Sequence, residues 1–285
     1  MVNTFVTYGN YESRAKARTR YMQDTLGTDG FVKAYQEKLE EVLASEKLDI
    51  QIENFRITKK GSGVIEDNRI TAQKQDGLYA VFYQPVGGSL KPEKAAQLYN
   101  LIRDMEDVEI RLTPQEGMYI INCNAEEAAQ LLEATQDGAQ TIFETSVACI
   151  GSAICQVGLG DSQSLVEQCV EAVRKENFPD GVLPQIHISG CPSSCGTHQV
   201  ATLGFRGAMK QTPEGPKHAF AIFEGGRALQ GEEVLAETGK AITVEDIPRF
   251  LVDLGRMIAA EGMTYNTWIQ KHHDALVELV AKYTA

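Results

Sequence analysis

Apolar and polar residues follow different periods in successive stretches of this chain. Up to about residue 45 the polar and basic positions Arg14, Lys16, Arg18 and Arg20 come first. After the glycines at 27 and 30, FVKAYQEKLEEVLASEKL places Phe31, Tyr35, Leu39, Val42 and Leu43 on one face at helical spacing. The pattern predicts a helical lead. Residues 46 to 75 are polar, carry Gly61 and Gly63, and read as a linker or an irregular extension.

The period then shortens. LYAVFYQ at 78 to 84 is rich in aromatic and β-branched residues and predicts a strand. Pro92 near a first helical position, followed by Ala95, Leu98, Leu101 and Ile102, predicts a helix over 91 to 105. VEIRLTPQEGMYIIN reads as two strands around a Pro-Gln-Glu-Gly turn, and Asn124 with Glu127 forms a capping-box start for the helix AEEAAQLLEA. Strand, helix, strand, strand, helix is a ferredoxin-like order. Further on, TIFETSVAC, LPQIHISGC and HAFAIFEGGR predict strands. SLVEQCVEAVRKEN, VEDIPRFLVDLGRMIAA with Thr243 as its N-cap, and WIQKHHDALVELVAKY predict helices. The expected fold class is α+β: a helical lead and linker over 1–65, a ferredoxin-like half-domain over 66–137 and an α/β domain over 138–285.

Composition narrows the function classes. A chain of 285 residues suits two compact units, and 43% hydrophobic with 23% charged residues is a globular composition. Lys plus Arg number 27 against 39 Asp plus Glu, a formal charge of −12, which argues against nucleic acid or an anionic membrane as the main partner. No apolar run approaches the length of a membrane span. The N-terminal MVNTFVTYGNYESRAKARTR turns polar and basic before a signal peptide could form, so a cytoplasmic location with reduced thiols is expected.

Four of the six cysteines form two tight pairs. Cys149 and Cys155 enclose five residues in CIGSAIC, Cys191 and Cys195 enclose three in CPSSC, and 35 residues separate the pairs. Two close pairs on a long connection fit a four-thiolate metal site, because each turn offers two sulfurs and the connection can fold back. Zinc ribbons usually show two-residue gaps in both pairs and bacterial ferredoxins string their ligands closely, so these gaps favour a different iron–sulfur arrangement. Gly151, Ser152 and Ala153 in the first pair, with Gly190, Ser193, Ser194 and Gly196 around the second, let the backbone approach a bulky group and offer N–H donors to sulfur. Cys123, beside MYIIN, and Cys169, inside a helical pattern, are expected to be buried small hydrophobes.

ACIGSAIC at 148–155 and GCPSSCGTHQVATLGFRG at 190–207 resemble the two cluster motifs of the siroheme-containing nitrite and sulfite reductases. LYAVFYQPVGGSLKPEKAAQLYNLIRD with IRLTPQEGMYII is similar to that family's second half-domain, and KARTRYMQDTLGTDGF to the stretch between its halves. The resemblance runs through nearly the whole chain, in the family's order, and corresponds to the C-terminal half of a usual member. It implies that Cys149, Cys155, Cys191 and Cys195 hold a 4Fe-4S cluster and that Cys195 is also the axial thiolate of siroheme. It further implies six-electron reduction of nitrite to ammonia or of sulfite to sulfide, with an electron donor such as ferredoxin; the cysteine motifs look closer to the nitrite branch.

The sequence departs from the family in two places. Ser193 stands where members often carry Asn, leaving a hydroxyl as the cofactor contact. The family's N-terminal half, which supplies most of the cations for substrate and for siroheme's carboxylates, has no counterpart here. Arg111 is the first local candidate for that charge, as a catalytic and cofactor-binding residue, followed by Arg206, Lys210, Lys217, Arg227 and the cluster from Arg14 to Arg20. His198, three residues after Cys195, is a candidate hydrogen-bond or proton donor to the cofactor. His272 and His273 are expected on the surface, and Gly225 and Gly226 in a tight turn. Open readings are a complete reductase, its cofactor-carrying half working as a homodimer or with a complementing subunit, a non-catalytic iron–sulfur electron-transfer or accessory protein, and a structural zinc module.

Overall fold

The computed structural model describes residues 1–51 and 56–285. It divides into two compact units, Met1–Arg56 and Ile57–Ala285. In the first, α1 (Val2–Tyr8) is followed by single 3-10 turns over Arg14–Lys16 and Thr19–Tyr21 and by α2 (Met22–Ser45). The expected amphipathic segment lies inside α2. The glycine stretch kinks this helix at Gly27 (φ 70°, ψ 168°) instead of starting it. Leu39 and Leu43 stay exposed.

The second unit contains two sheets. The first has β1 (Ile70–Ala72), β2 (Tyr79–Tyr83), β3 (Glu109–Leu112) and β4 (Met118–Cys123), in the order β1-β2-β4-β3 and antiparallel throughout. Val81, Tyr83 and Ile120 of this sheet pack with Leu98 of α3 (Pro92–Ile102) and Leu131 of α4 (Ala125–Ala134) in one core. The capping box is present: Asn124 Oδ1 accepts from Glu127 N at 3.0 Å, and Asn124 N donates to Glu127 Oε2 at 2.8 Å. At the other end of α4, buried Arg69 donates to the carbonyls of Thr135 (2.9 Å) and Leu132 (3.0 Å), placing a cation where the helix dipole favours one. β1 corrects the expectation of an irregular segment up to residue 75. Its three residues have too little apolar pattern to be read alone and become a strand by pairing with β2. The part of the expected linker at 52–55 lies outside the described residues.

The second sheet runs in sequence order: β5 (Val147–Ala148), β6 (Ile186–Ser189), β7 (Leu203–Thr212), β8 (Gly215–Glu224) and β9 (Glu237–Thr243). β5, β6 and β7 are parallel, while β8 and β9 add antiparallel strands. α5 (Ser162–Arg174) is the crossover from β5 to β6. α6 (Ile247–Ala260) and α7 (Tyr265–Thr284) follow the last strand. Leu165 and Val170 of α5, Ile186 and Ile188 of β6, Phe205, Phe220, Phe250, Leu254, Trp268 and Leu276 make one buried cluster.

Two expectations change here. TIFETSVAC is mostly not strand. Phe143–Thr145 is a 3-10 turn held by Glu144, whose Oε2 accepts from Gln140 N (2.9 Å) and Arg174 Nη2 (2.7 Å), which leaves only two residues for β5. Thr243 ends β9 opposite Ala219 instead of capping α6, and its hydroxyl donates to Asp246, the residue at the N-cap position. β9 itself, ETGKAIT, carries no strong alternation and owes its form to β8. Among the described residues no helix is long and apolar enough to cross a membrane.

Trp268, the sole tryptophan and buried in the larger core, reports on unfolding of this unit. Leu276→Ala in that core is expected to lower stability by about 2–5 kcal/mol, and Asn124→Ala, which removes the helix cap, by about 1 kcal/mol. Urea titration followed by tryptophan fluorescence measures both.

Candidate metal centre

Both cysteine turns leave the carboxyl ends of neighbouring strands. β5 stops at Ala148 and Cys149 is next; β6 stops at Ser189 and Gly190 leads into Cys191. Because the strands pair in parallel, Val147 opposite His187 and Ala148 opposite Ile188, the two turns emerge from the same end of the sheet. Crevices in parallel sheets open at such ends.

Backbone hydrogen bonds stitch the turns together. Cys149 N donates to Ile188 O (3.0 Å), Leu159 N and Gly160 N donate to Gly190 O (2.8 and 3.0 Å), and Ser152 N donates to Gly160 O (3.0 Å). Gly190 N donates to Cys149 Sγ at 3.1 Å. Ser162 Oγ, at the start of α5, lies 3.2 Å from the same sulfur and donates to the Cys149 carbonyl at 2.7 Å. Position 190 admits only glycine, since a β-carbon there would stand 2.6 Å from Gly160 O. The second turn is tightly coiled: Ser194 (φ 58°) and Thr197 (φ 54°) are left-handed, Thr197 N donates to Ser194 O (2.8 Å), and Gly196 N donates to Ser189 Oγ (3.1 Å).

Cys149, Cys155, Cys191 and Cys195 all line one cavity of about 540 Å³, together with Ser193 and Gln163. Gly87, Gly88, Ser89 and Glu116 of the ferredoxin-like portion complete its wall. Ile150, Ile154 and Val157, in the same lining, are exposed. Among the described residues no three His, Cys, Asp or Glu side chains converge closely enough for a single metal ion. Cys123 and Cys169 are fully buried away from this lining, and burial raises both thiols, Cys123 to about 12.

Among the described residues, no Lys or Arg lines the cavity. Arg111 is exposed on β3 and ion-paired with Glu109. Lys210 donates to the carbonyls of Tyr283 and Ala285 at 3.2 Å, Lys217 pairs with Glu214 (2.6 Å) and Arg227 with Glu232 (2.9 Å). Arg14, Lys16, Arg18 and Arg20 belong to the first compact unit, where Arg20 stacks on Tyr21. His272 pairs with Glu261 at 3.0 Å and His273 is exposed; Gly225 (φ 78°) turns the chain after β8.

His198 and Arg206 come together on Phe223. The imidazole meets that ring edge-on at 4.5 Å between centroids, and the guanidinium lies 5.1 Å over it. His198 is 2% exposed; its Nδ1 and the Nε of Arg206 have no protein partner. Burial, then the charge of Arg206, lowers the imidazole to about 4. It is therefore neutral at pH 7.

The sequence reading missed Glu116, Gln163 and the Gly87–Ser89 turn. A glycine pair in PVGGS was the one available signal. Glu116 sat unremarked in a turn, because its importance comes from where the second sheet lies.

Residues 71–138 match the nitrite/sulfite reductase ferredoxin-like half domain. Over 97% of its length the chain is 24% identical to an assimilatory ferredoxin-dependent nitrite reductase of Haloferax mediterranei, of which it covers 50%. It is 26% identical to the chloroplastic ferredoxin–nitrite reductase of Arabidopsis thaliana (86% of this chain, 42% of that protein). A ferredoxin sulfite reductase of Mycolicibacterium paratuberculosis is 24% identical over 78% of this chain and 40% of the relative. The solved structure of the Mycobacterium tuberculosis NirA protein shares the fold, with a TM-score of 0.63 at 21% identity over 94% of this chain and 50% of that one. The chain thus spans about half the length of the curated relatives it matches.

Two outcomes follow from the geometry. Gly190→Ala forces the two turns apart and is expected to cost about 1–3 kcal/mol in urea unfolding. For His198 the folded value lies below the ordinary 6.5, so its contribution to stability is present above pH 6.5 and lost as pH falls toward 4. Unfolding measured between pH 7 and 4 is expected to show this slope, and His198→Gln to flatten it.

Proposed function

We propose that this chain is a member of the nitrite/sulfite reductase family, that its cysteine cavity holds a 4Fe-4S cluster next to siroheme and that it is the cofactor-carrying half of a reductase of nitrite or sulfite. The observation that carries this reading is the meeting of two cysteine pairs, separated by 35 residues, around one cavity. The donor set fits the group. Four thiols from two turns line one shared space among small residues, a soft donor set that suits an iron–sulfur cluster.

In this reading Cys149, Cys155, Cys191 and Cys195 would hold the cluster, and Cys195, the exposed member, would also bind siroheme iron. When bound, the coupled pair supplies a one-electron store beside a catalytic iron, which suits a reduction requiring six electrons. The protein's own contributions are local. Gly190 N–H, donating to Cys149 Sγ, stabilises negative charge on that sulfur, while the Ser162 hydroxyl donates to the Cys149 carbonyl and holds the turn. Ser193 stands at the cavity wall as a hydroxyl contact for the macrocycle. Arg206 and His198 are kept as proposed cofactor contacts near the second turn, although both lie outside the cavity lining and Arg206 Nε and His198 Nδ1 are buried without a partner.

Nitrite is the preferred substrate and ferredoxin the preferred donor in this proposal, supported by the relatives named for both. Arg111 remains a proposed anion contact only if its pairing with Glu109 opens. A second reading has one observation in its favour: among the described residues the cavity lining carries no Lys or Arg to meet an anionic substrate. Under it the chain is an iron–sulfur electron-transfer partner, with the substrate cations on another polypeptide.

Anaerobic purification, visible spectroscopy, iron and acid-labile sulfide analysis, and assay with nitrite and sulfite separate these readings. The reductase half is expected to show Soret-type and red bands above a cluster shoulder. A bleachable shoulder alone supports the electron-transfer reading, and a colourless protein with one zinc per chain removes both. Cys195→Ser is expected to abolish the magnetic coupling between cluster and macrocycle.

A further inference from the structure

We propose that Glu116 is a positioning residue for the first cysteine turn, holding the backbone immediately before Cys149 from the turn between β3 and β4. β5 is two residues long, lies at the edge of its sheet and has a neighbouring strand only on the β6 side. Ladder hydrogen bonds alone anchor such a strand weakly. Side chains replace the absent neighbour: Ala148 N donates to Glu116 Oε2 at 3.2 Å, and Gln163 Nε2 donates to Ala148 O at 2.8 Å and to Gly87 O at 2.9 Å. Ala148 is thus gripped at both polar groups one residue before the thiol.

The grip is built at some conformational expense. Glu116 is left-handed (φ 65°), a backbone that residues with a β-carbon adopt reluctantly. Gly88 (φ 70°) lies so close that a β-carbon on it would overlap that of Glu116. Among the described residues Glu116 is also the one ionisable side chain other than the cysteines in the cavity lining. Partial burial raises its carboxyl above the ordinary range, and the Ala148 amide opposes that rise. The geometry ties the ferredoxin-like sheet to the cysteine sheet at the residue where the first ligand pair begins. Its effect on cluster assembly rests on the function proposed above; its effect on the turn does not.

The test compares Glu116→Ala and Glu116→Gln with the wild-type chain. In apo-protein, alkylation of Cys149 by iodoacetamide, followed by peptide mass spectrometry, is expected to accelerate about tenfold in Glu116→Ala, as loss of a hydrogen bond from a buried backbone group predicts. Cys155 and Cys169 are expected to keep their wild-type rates, whereas general loosening would raise all three. Glu116→Gln keeps an acceptor at the same reach and is expected to react like wild type. After anaerobic reconstitution, Glu116→Ala is expected to hold less than about half the wild-type iron, with Glu116→Gln restored. Unchanged Cys149 reactivity in Glu116→Ala, or a Gln variant as reactive as Ala, overturns the proposal. Should the Ala variant not fold, Glu116→Asp, one methylene short of the Ala148 amide, carries the same expectation. A wild-type chain that takes up no iron defeats the cluster reading, and the alkylation rates still decide this one.

Discussion

The parallel pairing of β5 with β6 is the constraint on which the rest of the site depends. Two residues of one strand and four of the next, joined by α5, bring the turns after them to one end of the sheet. The sharing of one cavity by both cysteine pairs follows from that placement. The core beneath it, Leu165 and Val170 of α5 against Ile186 and Ile188 of β6, fixes the crossover, so apolar burial in the body of the unit sets the position of polar turns at its edge.

Between the turns the interactions are close and mostly backbone to backbone. Gly190 serves both as acceptor for Leu159 and Gly160 and as donor to Cys149 Sγ. That economy needs a residue with no side chain. Around the same cavity the exposed Ile150, Ile154 and Val157 form an apolar stretch of wall.

The ferredoxin-like portion does more than resemble a family. Its β3–β4 turn and Gly87–Ser89 turn form part of the cavity wall, so a sheet with its own core also shapes the neighbouring cysteine turns. Glu116, accepting from Ala148 N, and Gln163, donating to both Ala148 O and Gly87 O, join the two parts.

The sequence by itself determined the elements that local chemistry controls: β2 from its aromatic and β-branched run, α4 from Asn124 and Glu127, α5 and α6 from apolar periodicity, and four cysteines marked by spacing. It also separated these from Cys123 and Cys169, whose apolar surroundings are visible in one dimension. Only the tertiary structure decided the rest. β1, β9 and the shortness of β5 depend on a partner strand or on a distant ion pair such as Glu144 with Arg174. His198 and Arg206 meet on Phe223 through the pairing of β7 with β8, and Glu116 gains its role from an amide 32 residues away. A periodic pattern records which face of an element is buried, but it carries no record of which other element will lie against it.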